Sequence, residues 1–562
     1  MFSRRTFIRR VLSSAMAAPL MPRLRMAAAA PDVLYNGITL GTPWPPRRKY
    51  PDEHPVTPPY LADPPAVIPI DVGRQLFVDD FLIAETSLLR SWHQADYHPG
   101  NPVLRPETEW ENRDPSSERQ NLKLNPAAMV FSDGVFFDPR DRQFKMWYMA
   151  GYGVSTCLAI SADGITWTRP SFDVVKGTNI VHDKYRDSST VWIDPYDPDP
   201  RRRYKMSYWY DNSLLLCVSP DGVHWTDLGT AARAFDRSTF FYNPFRKVWV
   251  FSLRGTDYPG GGVNSRYRLY WESPEFSAKN RWSGYAPVAW VRADANDPTL
   301  EGMTQPSELY NLDCVGYESL VIGLFSIWRG ESDIREKVND LTVGFSRDGF
   351  HWSRGDRRPF IPVSETPGSW NWANIQSAGG CCVIVGDKLH FYVSGRQGEP
   401  GTNRPGVCST GLATLRRDGF ASMDWRRDDR RPRVTSRSGI QGGYLTTRTM
   451  TFSGAHLFVN ADVEGELRVE VLDEHGQPIA PFTRENCVPL RANQTRAAIG
   501  WTQGAFGQLA GRRVKLRFWL DEGRLYAFWV SPWATGESRG ATAAGGPEFS
   551  GTFDDRAPRT GA

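Results

Sequence analysis

One heptapeptide recurs along the chain and limits what it can fold into. Ser161-Ala-Asp-Gly-Ile-Thr-Trp167, Ser219-Pro-Asp-Gly-Val-His-Trp225 and Ser346-Arg-Asp-Gly-Phe-His-Trp352 share the pattern Ser-x-Asp-Gly-x-x-Trp. Ser273-Pro-Glu-Phe, ending at Trp282, and Arg417-Asp-Gly-Phe, ending at Trp425, are weaker copies. Successive copies lie 58, 54, 73 and 70 residues apart, and repetition at that spacing points to an array or a propeller. Asp-Gly supplies the tight turn between antiparallel strands, Ser and Asp can tie down turn amides, and Trp is placed to pack between neighbouring units. The motif is scaffold and is assigned no chemistry.

Each interval carries two strands ahead of the motif, for example Val135-Phe-Phe-Asp-Pro139 then Phe144-Lys-Met-Trp-Tyr148, and Thr239-Phe-Phe-Tyr-Asn-Pro244 then Lys247-Val-Trp-Val-Phe251. Strand, turn, strand, Asp-Gly turn, strand is the plan of a four-stranded blade, and no sustained 3.6-residue apolar period competes with it. The expected fold is all-β, a five-bladed β-propeller over residues 66–438 followed by a C-terminal β-sandwich over 439–535. The 50 Gly, 42 Pro and 21 Trp fit blade turns and blade packing. Residues 31–65 hold ten prolines and read as an extended arm, with the folded body starting near Val67. Residues 536–562, rich in Gly, Ala and Ser, read as a flexible tail.

The N-terminus reads as an address. Ser3-Arg4-Arg5-Thr6-Phe7-Ile8, a weakly apolar stretch from Val11 to Met21 and the run Ala27–Ala30 resemble a twin-arginine export signal spanning 1–30. A periplasmic or secreted protein, without membrane attachment after signal cleavage, is the expectation. The formal net charge of +4, with no long basic block in the mature part, argues against nucleic acid as a partner. Seven cysteines lack CxxC spacing, and most sit in apolar runs as small buried hydrophobes; a disulfide from Cys408 to Cys381 or Cys382 is compatible with export.

Inner strands of a propeller should bring equivalent positions to one ring around the channel. Counting seven back from Asp194 and Asn243, before the first turn of their units, gives Asp187 and Asp236. The same count in the first unit lands on Phe131, with Asp133 two residues on and on the same face under a period of two, and Glu308 begins the fourth inner strand. The second strands return to that face and end at Asp211, Arg254, Arg329 and Arg396. Carboxylates facing arginines in a cleft suit glycoside hydrolysis, in which one carboxyl protonates the leaving oxygen and another is base or nucleophile. Asp133, Asp187, Asp236 and Glu308 are the catalytic candidates. Arg254, Arg329, Arg396 and Asp211 are the substrate-binding candidates, together with Trp372 for stacking on a sugar. The arginines point to an oligo- or polysaccharide with an anionic group. No cofactor is expected. The nine histidines show no metal-ligand spacing, although a structural channel cation is compatible with the fold.

The sequence resembles the five-bladed β-propeller glycoside hydrolases of the invertase, levanase and arabinanase type, and exported bacterial proteins described as glycosyl hydrolase family 32-like. The resemblance rests on Leu76-Phe-Val-Asp-Asp-Phe-Leu-Ile83, Asn101-Pro-Val-Leu104 with Trp110-Glu111, the Lys145-Met-Trp-Tyr148 strand and the Asp-Gly turns. It implies that Asp133, Asp187 and the start of the third blade hold the catalytic carboxyls. Asp236 stands there where a Glu acid would be expected, so Glu308 is the alternative acid. The Trp-x-Asn-Asp-Pro, Arg-Asp-Pro and Glu-Cys signatures of invertases are absent, so fructan specificity is not implied. The Asn-Pro-Val-Leu segment is also similar to mannoside phosphorylases. The expected function is an exported glycosidase acting on a plant, algal or microbial glycan, with a non-catalytic carbohydrate-binding propeller or a mannoside-phosphorylase-like enzyme as alternatives.

Overall fold

The computed structural model describes residues 32–113, 126–256, 265–278, 287–297, 299–301, 303, 305–426 and 442–556. The export-type signal lies outside the described residues. The described chain is nearly all β-structure, with one four-residue α-helix, Pro59–Ala62. No described helix is long and apolar enough to cross a membrane.

Three consecutive four-stranded antiparallel sheets come first. Sheet I is Ala128–Asp138, Gln143–Ala150, Ser155–Ser161 and Ile180–His182; sheet II is Ser189–Ile193, Tyr204–Tyr210, Ser213–Ser219 and Thr226–Arg233. Sheet III is Thr239–Asn243, Val248–Gly255, Tyr267–Ser273 and Val288–Val291. A larger sheet follows, in two arms. Arm A is Glu308–Glu318, Leu320–Ser332 and Arg335–Ser346, and arm B is built from Asn374–Ser377, Val383–Val385, Lys388–Arg396 and Cys408–Arg416. A single parallel pairing, Asn339 with Asn374, joins the arms. The first strands pack on one another in order, sheet I on II, II on III, III on arm A, and arm B back on sheet I, so the units close into a ring. The N-terminal strand Asp96–Tyr97 seals it by pairing with Cys408–Arg416, at the far end of the sequence of units.

The repeated turn explains why the ring closes. In each strong copy the Ser hydroxyl accepts the Gly amide, at 2.8 Å for Ser161 and 2.9 Å for Ser219 and Ser346. The Asp carboxylate accepts two further amides, as Asp163 does from Ile165 and Thr166 at 2.8 Å. The glycines sit at φ of 73°, 81° and 83°, where a Cβ is unfavourable. The turn then locks to its neighbour. Trp147 of sheet I donates to the Gly222 carbonyl of sheet II at 2.9 Å, Trp290 of sheet III to Phe350 after arm A at 2.7 Å, and Tyr392 of arm B to Gly164 of sheet I at 2.6 Å. A Cβ on Gly222 would come within 2.6 Å of the Trp147 ring, so the glycine serves both the turn and the contact.

Three expectations change. The C-terminal region hydrogen-bonds as one eight-stranded sheet in which His456–Leu472 and Lys515–Ser531 run alongside each other for their length and bend at register shifts near Asn460 and between Val463 and Glu466. It also recruits strands from outside 439–535, namely Gln75–Leu76, Ile83–Thr86, Leu89–Trp92 and Ala421–Trp425. The arm joins the folded body well before Val67, since Leu34, Ile38, Leu40 and Tyr60 are buried in the core of that sheet. The described part of the tail is packed rather than loose: Ala541–Thr542 pairs with Glu318 and Tyr317, and Ala544 and Phe549 lie in the main core. Seven buried, free thiols account for all the cysteines.

Between ring and C-terminal sheet lies a buried ionic joint. Arg74 bonds Asp418 at 2.8 Å, Arg417 bonds Glu318 at 2.9 Å, and the Tyr317 hydroxyl donates to Asp418 at 2.5 Å. Asp418 belongs to the fifth, weak copy of the motif, which still turns the chain, the Gly419 amide donating to the Arg416 carbonyl at 2.8 Å, and adds this cross-link.

Candidate active site

The axis of the ring is plugged by polar side chains from four first strands. Asp313 accepts from the Ser132 hydroxyl at 3.0 Å, the Asn311 amide at 2.9 Å and the Ser377 hydroxyl at 2.5 Å. Arg237 donates to Ser132 Oγ at 3.0 Å and lies 3.8 Å from the centre of the Phe131 ring. Beside it, burial first and Arg237 second bring the Arg268 guanidinium down to about 9. Burial raises Asp313 despite Arg237. These buried groups converge from several of the units.

Above the plug stand Asp187, Tyr310 and a group of cations. Asp187 acts electrostatically on Tyr152, Arg237, Arg254 and Tyr310. Tyr310 in turn feels Lys337, Arg396 and Arg266, and although burial opposes ionisation these cations hold its phenol below the ordinary value. Burial, helped by Arg266, lowers the Arg254 guanidinium. The arrangement provides a carboxylate, a phenol and several guanidinium donors around one space, which is the equipment for proton transfer and for binding an anionic group.

The four carboxylates predicted for this ring divide in two. Asp187 is partly exposed, its amide holds the Trp209 carbonyl at 3.0 Å, and its Oδ1 is buried without a hydrogen-bond partner. Asp236 is also partly exposed and pairs with Arg254. Asp133 and Glu308 are fully buried. Asp133 takes Arg186 at 2.7 Å, and burial raises its carboxyl against the pull of that arginine. The count of two from Phe131 fails because the strand bulges between Met129 and Gly134, with Ser132 at φ 65°. Phe131, not Asp133, therefore faces Arg237 and Arg396. Glu308 accepts from Arg266 at 2.8 Å and from the Ser265 amide at 3.0 Å.

The expected binding residues fare unevenly. Arg396 is buried, bonding Glu336 at 2.8 Å and lying 5.2 Å from the Tyr152 ring centre. Arg329 is spent on a two-point pair with Asp340 at 2.9 and 3.1 Å across its own hairpin. Asp211 is an exposed turn residue: it and Asn212, at φ 46° and 57°, make the two-residue connection between Tyr210 and Ser213. Trp372 is only 7% exposed, with Arg335 5.1 Å from its ring centre and Gly398 against its face, so it packs rather than presenting a ring to a sugar.

Sequence reading missed Arg186, Arg237, Arg266, Tyr310, Asp313 and Glu336. A signal for two of them exists: Arg186-Asp-Ser-Ser-Thr190 and Asp236-Arg-Ser-Thr239 both place a charged pair just before Ser-Thr and an inner strand. A cavity of about 430 Å³ opens beside Arg254, walled by Phe235, Leu253 and Tyr267. A second, of about 550 Å³, lies at the other end of the inner strands among Phe136, Trp192, Tyr196 and Tyr242, and none of the predicted site residues lines it.

No family profile matches the chain, and no curated protein matches it. Solved structures do. An N-acetylgalactosamine deacetylase from F. plautii, in complex with blood group B trisaccharide, is 13% identical over 60% of this chain and 96% of its own, with a TM-score of 0.39. An exo-beta-1,3-galactanase from Phanerochaete chrysosporium is 11% identical over 71% and 96%, at 0.31. A beta-1,2-mannobiose phosphorylase from Listeria innocua is 10% identical over 57% and 96%, at 0.36.

Proposed function

We propose that this protein is an exported, five-bladed propeller enzyme that cleaves glycosidic bonds at the cationic mouth of its ring, with Asp187 as the central carboxylate. The observation that carries the proposal is the state of Asp187. Of the four predicted carboxylates, it alone combines access from the mouth with no ion pair among the described residues, and its Oδ1 accepts no hydrogen bond. Such a group is free to act on a substrate as base or nucleophile, whereas Asp133 and Glu308 already spend their oxygens on arginines.

Of the two acids expected from the sequence, the partly exposed Asp236 supplies the proton for the leaving oxygen, while Glu308 is sealed against Arg266. Tyr310 is a further candidate donor, because Lys337, Arg396 and Arg266 hold its phenol below the ordinary value against the effect of burial. The excess of guanidinium groups favours a glycan bearing a carboxylate or sulfate, bound through the partly exposed Arg254. The same cations support a second reading, phosphorolysis, in which inorganic phosphate replaces water as acceptor.

The deciding experiment incubates the purified protein with a panel of neutral, uronate-bearing and sulfated glycans, with and without inorganic phosphate, and reads new reducing ends and sugar phosphates. Turnover that Asp187→Asn abolishes without changing the melting temperature supports the site. Turnover undiminished in Asp187→Asn overturns it, phosphate-dependent turnover selects the second reading, and saturable binding without turnover makes the protein a carbohydrate-binding module.

A further inference from the structure

On the flank of the ring, between its first two sheets, three side chains meet. His182 ends the last strand of sheet I, Cys217 lies in the third strand of sheet II, and Asp227 lies in the fourth. One ligand atom from each lies within 4.8 Å of the other two. The Cys217 thiol donates to Asp227 at 3.1 Å.

His182 is the telling member. It is 6% exposed, and neither ring nitrogen has a hydrogen-bond partner among the described residues. A buried imidazole ordinarily satisfies at least one nitrogen. With neither nitrogen engaged, the imidazole has a lone pair to give. The ring is held by Tyr208, whose centroid lies 4.6 Å away.

We propose that His182, Cys217 and Asp227 form a site for a zinc-class divalent cation that clips sheet I to sheet II. Nitrogen, thiolate and carboxylate are the donor types zinc takes, and three protein ligands leave a fourth position for water. Asp227 is solvent-accessible and gives the ion a way in. Binding replaces the thiol proton: the Cys217 S–H bond breaks, a sulfur–metal bond forms and one proton leaves to solvent, with no change of oxidation state. The cation supplies the drive for deprotonation, since it takes the thiolate and not the thiol. Lys184, now bonded to Asp227 at 2.7 Å, is half exposed and can turn to water at little cost. The clip would hold the segment 182–187, which ends in Arg186 and Asp187.

The test uses the reduced, tag-free full-length protein and Co²⁺ or Zn²⁺ salts alone. Expected are one metal per chain, a thiolate-to-cobalt charge-transfer band, release of one proton in calorimetry across buffers of different ionisation heat, and a higher melting temperature with Zn²⁺. Cys217→Ser and His182→Ala should remove the band and saturable binding, and Asp227→Asn should weaken both. A wild-type protein that shows no thiolate–cobalt band overturns the proposal without reference to any variant, and so does a Cys217→Ser protein that binds one metal as tightly as wild type.

Discussion

Asp133 and Asp187 stand near the starts of neighbouring inner strands and look equivalent in the sequence, yet one is sealed and the other open. Asp133 is turned inward by a bulge and neutralised by Arg186 at 2.7 Å, while Asp187 keeps access and an unpaired oxygen. Propeller repetition thus fixes where a strand begins and not what its first carboxylate does. The adjoining residue has the opposite fate, since Arg186, next to open Asp187, is itself fully buried against Asp133.

This contrast can be broken by substitution. Asp187→Asn should cost about 10⁴-fold in turnover, ~5.5 kcal/mol of barrier, with an unchanged unfolding midpoint. Asp133→Ala or Arg186→Ala should instead cost about 3–5 kcal/mol of stability by stranding a buried charge, which denaturant unfolding reads directly. Equal effects of Asp133→Ala and Asp187→Asn on stability would erase the distinction drawn here.

Two buried histidines sharpen the contrast between the ring and its ends. Burial depresses His182 and His390 to about 4. In the unfolded chain each binds a proton near pH 6.5, so between about pH 6.5 and 4 the unfolded state holds more protons and stability falls as pH falls. The full effect is about 3 kcal/mol per histidine, lost progressively below pH 6.5. The unfolding free energy, measured over pH 4–7 without added metal, should fall less steeply in His390→Asn than in wild type. Smallest is Asp211→Asn, expected within about 0.5 kcal/mol of wild type and without effect on turnover, since an exposed hairpin turn accepts Asn as readily as Asp. A large loss of activity there would return Asp211 to the site.

How legible each feature was follows from the range of its bonds. The Ser-x-Asp-Gly turn satisfies itself within three residues, so Ser219 and Asp221 announce it without any tertiary context. Asp194 and Asn243 mark the same turn in neighbouring units, because both side chains accept the amide two residues on. The count failed in sheet I at the bulge, which no local pattern signalled. Trp372 and Arg329 were misread because an aromatic or an arginine at a strand end looks the same whether it meets a sugar, another guanidinium or a carboxylate of its own hairpin. Asp313 sits in the apolar run Leu309–Val315, and only the convergence of Ser132, Asn311 and Ser377 explains a carboxylate there.

The sequence by itself determined the repeating antiparallel units, their turns and the aromatic seams between them, because those depend on contacts a few residues long and on alternation along a strand. The tertiary structure decided which charges are spent and which are free. It sealed Asp133, left Asp187 accessible, plugged the axis with Asp313 and Arg237, and brought His182 to Cys217 and Asp227 across two sheets. The reason is physical: a charge keeps its chemistry only where burial and partners leave it unsatisfied, and those partners come from strands tens to hundreds of residues away.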